Sequence, residues 1–256
     1  MPNIKLPNNY LNEMKSILAL IESKQKVYAQ SPLFHFMKDQ SINPLKRLAF
    51  VPCSAPFILG FTDLCKYAFY QEHTNSKIQS ILNQHAYEDA NHWQWFLEDM
   101  ESLGFNCQLE MNDALFFLWH EETKASRLVT YELYKYIAES TEIEKLVILE
   151  SLEGLADIFL SFTKKVTEEL QLTTNKEYKY FGGLHVAAEQ DHEAHSDDMH
   201  EYIQNIYIPE ENKQHSIKLV EKVFELFTQW NQGLLTYAQA QSLECQLEYS
   251  QMLKAV

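Results

Sequence analysis

Residues 180–200 read YFGGLHVAAEQDHEAHSDDMH, and the spacing of their polar side chains sets the reading of the whole chain. His185, Glu189 and His192 are separated by four and then three residues. On a helix those steps make nearly two turns, so the three side chains stack along one face. Two imidazoles and a carboxylate on one stripe are the ligand types that suit non-haem iron or a similar divalent ion. His195 and His200 lie further along, as outer ligands or as solvent-facing side chains. Gly182 and Gly183 precede the stripe, where they let a neighbouring backbone approach closely or bend the helix. The competing reading is an exposed, polar helix face.

Two further stretches support the metal reading. Residues 84–97 are QHAYEDANHWQWFL, where His85, Glu88 and His92 share a face beside Trp93, Trp95 and Phe96. Polar groups in so aromatic a helix are costly to bury unless paired or metal-bound. Asp89, one residue round from Glu88, would accept a hydrogen bond from an imidazole N–H. Residues 146–160, LVILESLEGLADIFL, place Glu150, Glu153 and Asp157 on one stripe of an apolar helix. Either one of these carboxylates faces a positive charge, or all three mark the wet side of an amphipathic helix. Three separate segments thus offer inward-capable His or Glu, the way helical proteins hold a pair of irons.

The rest of the chain reads as helix. Only 6 Gly and 7 Pro occur in 256 residues, against 46% hydrophobic residues, which favours a few long helices over a many-stranded sheet. Apolar periodicity predicts helices over about 8–29, 45–70, 76–102, 112–139, 141–170, 176–203 and 212–250. Pro52 and Pro56 should kink or break the second near its start, and Gly104 should end the third. Thr141 and Glu144 form a capping-box pattern. The expectation is an all-α, single-domain bundle of seven to eight helices over residues 1–256, with a metal-binding core at about 75–205.

Charge and cysteine usage exclude several classes. A formal net charge of -15 disfavours nucleic acid and anionic membrane as partners, and no basic cluster is present. The four cysteines, Cys53, Cys65, Cys107 and Cys245, show no metal-type spacing, so thiolate zinc and iron–sulfur sites are not expected. No secretory signal or membrane-length apolar run is read, which gives a cytoplasmic expectation.

Glu153, followed by His185-x3-Glu189-x2-His192, resembles the haem-oxygenase-like di-iron oxidases and oxygenases. That family carries a late His-x3-Asp-x2-His motif, a Glu on the preceding core helix, and a Glu plus a His on an earlier one. The resemblance implies a metal set of Glu88, His92, Glu153, His185, Glu189 and His192, with His85, Asp89 and Glu150 as further candidates. Glu189 stands where the family has Asp. His85 stands where the early Glu often precedes its His by seven residues. The family implies a compact helical fold, two Fe ions (or an Fe/Mn pair), dioxygen as co-substrate and a small organic substrate such as an amino acid, amine or aliphatic acid. A homodimer follows by analogy. The alternatives are a metal-free, thiamin-degrading type of hydrolase on the same fold, which needs a cysteine nucleophile, and a non-enzymatic helical interaction protein.

Overall fold

A computed structural model of the chain describes residues 13–106, 109–191 and 197–242, and among them it is all-helical. The elements are α1 (Glu13–Tyr28), α2 (Pro32–Lys38), α3 (Pro44–Arg47), α4 (Val51–Leu64), α5 (Lys77–Asp89), α6 (Trp93–Ser102), α7 (Met111–Trp119), α8 (Lys124–Ala138), α9 (Glu142–Thr174), α10 (Gly183–Asp191), α11 (Asp197–Gln204) and α12 (Glu210–Ala240). A π-helical turn, Cys65–Phe69, extends α4, and a short 3-10 turn joins α7 to α8.

The spine is α9. Thr141 accepts from the Glu144 N–H while the Glu144 carboxylate reaches back to the Thr141 N–H at 2.8 Å, completing the expected capping box. At the other end Asn175 adopts φ 53° and stops the helix. Between these caps, buried Leu, Ile, Val and Phe occupy most of its circumference. A helix that is apolar nearly all round must be surrounded. Accordingly α1, α2, α3, α5, α10 and α12 all pack against it, while α4 packs chiefly on α8.

Several expected helices are divided, for local reasons. The segment 45–70 becomes α3, α4 and the π turn, with Pro52 seated in the first turn of α4, where its missing N–H costs nothing. The segment 76–102 breaks between Asp89 and Trp93, and Gly104 (φ 82°) ends it as expected. The segment 112–139 is interrupted after Trp119, and the helix expected from 176 starts only at Gly183. In that delay Gly182 is required, because a Cβ there would lie 2.0 Å from the Tyr178 carbonyl oxygen.

Arg47 locks the short α2–α3 corner to the spine. Its side chain is buried, donates to the carbonyls of Met37 (2.8 Å) and Ile42 (3.0 Å), and pairs with Glu169 of α9. Replacing it by Ala leaves a buried carbonyl (Met37), a part-buried one (Ile42) and a part-buried carboxylate without their donor. We expect Arg47→Ala to cost about 2–3 kcal/mol of unfolding free energy in urea titration. A loss no larger than that of an exposed Lys→Ala control would show that the corner does not depend on it.

Candidate metal centre

The site forms where α5, α6, α9 and α10 converge. Two groups of ligand-type side chains lie there, His92 with His185 and Glu189, and His85 with Asp89 and Glu153. Within each group the candidate ligand atoms all fall within 4.8 Å of one another. Each group combines an i,i+4 His–carboxylate pair on one helix with a third side chain from another element. The pair is His185/Glu189 on α10 in one case and His85/Asp89 on α5 in the other.

The helix break after Asp89 produces this grouping. A continuous helix would keep His92 on the face of His85 and Glu88. Instead the turn at Ala90–Asn91 carries His92 to the start of α6 and swings it toward α10. There its Nδ1 lies 3.6 Å from Glu189 Oε1, and its ring meets that of His185 edge-on at 4.6 Å. Its other face stacks on Trp95 at 4.5 Å and 14°. His92 also stays 3.8 Å from Asp89, so the two groups adjoin.

The position of His185 is set by a relay of hydrogen bonds. Asp99, buried on α6, accepts from the backbone N–H groups of Lys179 (2.7 Å) and Phe181 (2.8 Å) and so pins the strand of chain ahead of α10. Burial pushes the Asp99 carboxyl up to about 6, although the backbone donors oppose the shift. The Tyr180 carbonyl then accepts from His185 Nδ1 at 2.9 Å. A carbonyl can only accept, so the proton sits on Nδ1 and Nε2 is the atom turned to the site. Nε2 lies 2.9 Å from Glu189 Oε1. Two lone-pair-bearing atoms so close call for a shared proton or a metal ion between them.

On the other side His85 is buried, with its Nδ1 3.7 Å from Glu153 Oε1. Burial drives the Asp89 carboxyl well above the usual carboxylate range, and the negative charges of Glu189 and Glu88 add to the shift. Glu153 is raised likewise, by burial first and then by Asp89 and Glu189. Three largely sequestered carboxylates, Asp89 buried and Glu153 and Glu189 partly so, interleaved with three imidazoles, could hold divalent cations.

Of the residues expected from sequence, the structure brings together His92, Glu153, His185 and Glu189 with two of the further candidates, His85 and Asp89. His192 and His195 lie outside the described residues. Glu88 is in neither group. It sits about 100° round the helix from Asp89, and its carboxylate accepts from Gln84 Nε2 at 2.8 Å. Glu150 and Asp157 also stay out, Asp157 being exposed, although both charges act on Glu153. His200 is exposed and contacts Gln204. One signal for Asp89 was present in the sequence: His85-x3-Asp89-x2-His92 has the spacing of His185-x3-Glu189-x2-His192.

Both groups open on one cavity of about 100 Å³, walled by Phe57, Phe61, Phe159, Phe227 and Trp230. Tyr180 also lines it, its phenol held strongly toward the neutral form by burial and by the nearby carboxylates.

The raised carboxyls make the metal-free protein sensitive to pH. In the folded state Asp89 and Glu153 hold their protons more tightly than in the unfolded chain. Unfolding free energy should therefore fall as pH rises from the unfolded carboxylate range near ~4 through the raised native values. Denaturation curves in chelator between pH 5 and 8 test this. The decline should flatten in Asp89→Asn and Glu153→Gln and be offset by added divalent metal. A profile unchanged by either substitution would contradict the assignment of strain to this cluster.

Neither a protein-family model nor a curated protein sequence matches the chain. Solved structures do. A domain of unknown function with a haem oxygenase-like fold from Shewanella denitrificans OS217 superposes with a TM-score of 0.59 at 15% identity, covering 88% of this chain and 91% of that one. A TenA homolog from Pseudomonas syringae pv. tomato DC3000 matches with a TM-score of 0.59 at 9% identity, covering 92% and 98%. At these identities the likeness speaks for architecture alone, and it agrees with the helix packing around α9: the chain has the haem-oxygenase-like fold.

Proposed function

We propose that the chain is a non-haem di-iron oxidase or oxygenase that activates dioxygen to oxidise a small organic substrate. The observation that carries this reading is the pair of adjoining His/carboxylate groups, facing one apolar cavity. His92, His185 and Glu189 would hold one ion, and His85, Asp89 and Glu153 the other. Two bound irons would supply Lewis acidity and the electrons for dioxygen reduction.

The protein's own contribution is positional. The Asp99–Tyr180–His185 relay orients one imidazole, and the His92–Trp95 stack orients another. The aromatic walls keep bulk water from the reacting centre, which strengthens every charge interaction inside.

The likeness to a TenA homolog keeps a metal-free hydrolase as the comparison reading. Such a reading calls for a nucleophilic thiol at the cavity. Among the described residues no cysteine lines it. Cys53 donates to the Glu122 carbonyl, and burial pushes its thiol up to about 12. Cys65 is held well above its ordinary range by burial and by the charges of Asp89 and Glu153. Neither is poised as a thiolate.

Anaerobic protein reloaded with Fe(II) should retain two irons per chain after desalting, and its visible absorbance should change on exposure to air. His185→Ala should retain no more than one. Failure to bind iron at any loading would retire the di-iron reading and return attention to the hydrolase.

A further inference from the structure

Helix α7, MNDALFFLW, is apolar on both of its faces, with Asn112 and Asp113 its only polar side chains. A helix of that composition is surrounded when a chain completes its own core, as α9 is. Yet no residue of α7 is buried. Phe117 and Leu118 form the inner face, half-buried toward α4 and, through the 6.2 Å contact of Phe117 with Tyr237, toward α12. The outer face carries Met111, Leu115, Phe116 and Trp119, and the last two are each 68% exposed. Arg127 joins this face to α8. Its guanidinium donates to the carbonyls of Leu118 (2.6 Å), Trp119 (3.0 Å) and His120 (3.0 Å) at the C-terminal end of α7, and it lies over the Trp119 ring at 5.7 Å. Leu128 and Tyr131, exposed on α8 within a turn of Arg127, continue the apolar patch.

We infer that a second copy of this chain covers the patch, in a two-fold dimer whose two α7 helices lie antiparallel. Area is the first argument. At ~150–250 Å² for a large side chain, these six residues leave roughly 600 Å² in water. That is the upper end of what a monomer exposes in one patch. It also exceeds the ~450 Å² of apolar surface that each partner gives to a standard interface. Charge is the second argument. The chain carries a formal net charge of -15, so two copies repel over most of their surfaces and can meet only where charge is low. The charges flanking α7 are divided by end. Glu110 and Asp113 stand at its N-terminal end, and among the described residues neither forms an ion pair. Arg127 stands at the C-terminal end and gives its donors to carbonyls and to Thr123, while Glu121 and Glu122 there are matched by Lys124 (2.9 Å) and His120 (3.7 Å). An antiparallel pair about a two-fold axis sets Glu110 and Asp113 of each copy opposite Arg127 of the other, with Phe116 near the axis. An anionic lipid surface would instead meet two carboxylates and the net charge of the whole chain.

Sedimentation velocity of the full chain tests this directly. At micromolar concentration the wild type should sediment as a dimer, twice the 30.1 kDa chain mass. Phe116→Glu should weaken dimerisation about 100-fold, and the far-UV helical signal should stay as in the wild type because the side chain replaced is exposed. Asp113→Lys, which sets two cations face to face, should weaken it about tenfold, less so in high salt. Cysteine cross-linking guards against a folding defect in these variants. Under mild oxidation Phe116→Cys should give a disulfide-linked dimer beyond the wild-type background, and Tyr87→Cys, at an exposed position on α5, should not. A dimer that survives Phe116→Glu with unchanged affinity would overturn the inference, since another face would then hold it. A monomeric wild type would overturn it too, and would leave α7 to a different cover, residues 243–256 of the same chain or a lipid surface.

Discussion

The structure depends on keeping three carboxylates, Asp89, Glu153 and Glu189, close together in an apolar interior. Each is there against two penalties, the loss of water and the charge of its neighbours, and both raise the Asp89 and Glu153 carboxyls. Repulsion of this kind pushes helices apart, so the scaffold has to hold them from elsewhere. It does so through α9, capped at both ends and surrounded by the helices that pack against it, and through the buried Arg47 that ties the α2–α3 corner to it. Under the proposed di-metal function a bound cation would relieve the negative charge that remains, with the imidazoles sharing it.

The two candidate ligand groups share one plan. A His and a carboxylate four residues apart on a helix supply two donors, and a side chain from another element supplies the third. The plan requires that His92 leave its own helix, and the break after Asp89 accomplishes this. The same break places Trp95 behind the His92 ring. On the α10 side the corresponding device is the turn ahead of Gly183. It is held by Asp99 and made sterically feasible by Gly182, and it delivers the Tyr180 carbonyl that selects the His185 tautomer.

Much of this was legible in the chain itself, because it is local. Helical periodicity, the Thr141 capping box, the Gly104 stop and the all-α class follow from interactions within a few residues, and the structure repeats them. The i,i+4 spacing of His185 and Glu189 is likewise a property of one helix turn. The choice between Glu88 and Asp89 was not legible. Both lie on α5, and only the direction from which α9 and α10 approach decides which carboxylate turns inward. Nor could periodicity find the break at Ala90–Asn91, since the residues on either side of it keep a helical pattern.

Sequence alone therefore determined the helices, their caps and the supply of imidazole and carboxylate donors, since these depend on neighbours along the chain. Tertiary structure decided which donors meet, which tautomer His185 presents, and what lines the space between them. Those outcomes depend on residues such as Asp99 and Tyr180, or Phe57 and Trp230, that come together only when helices distant in sequence pack around α9.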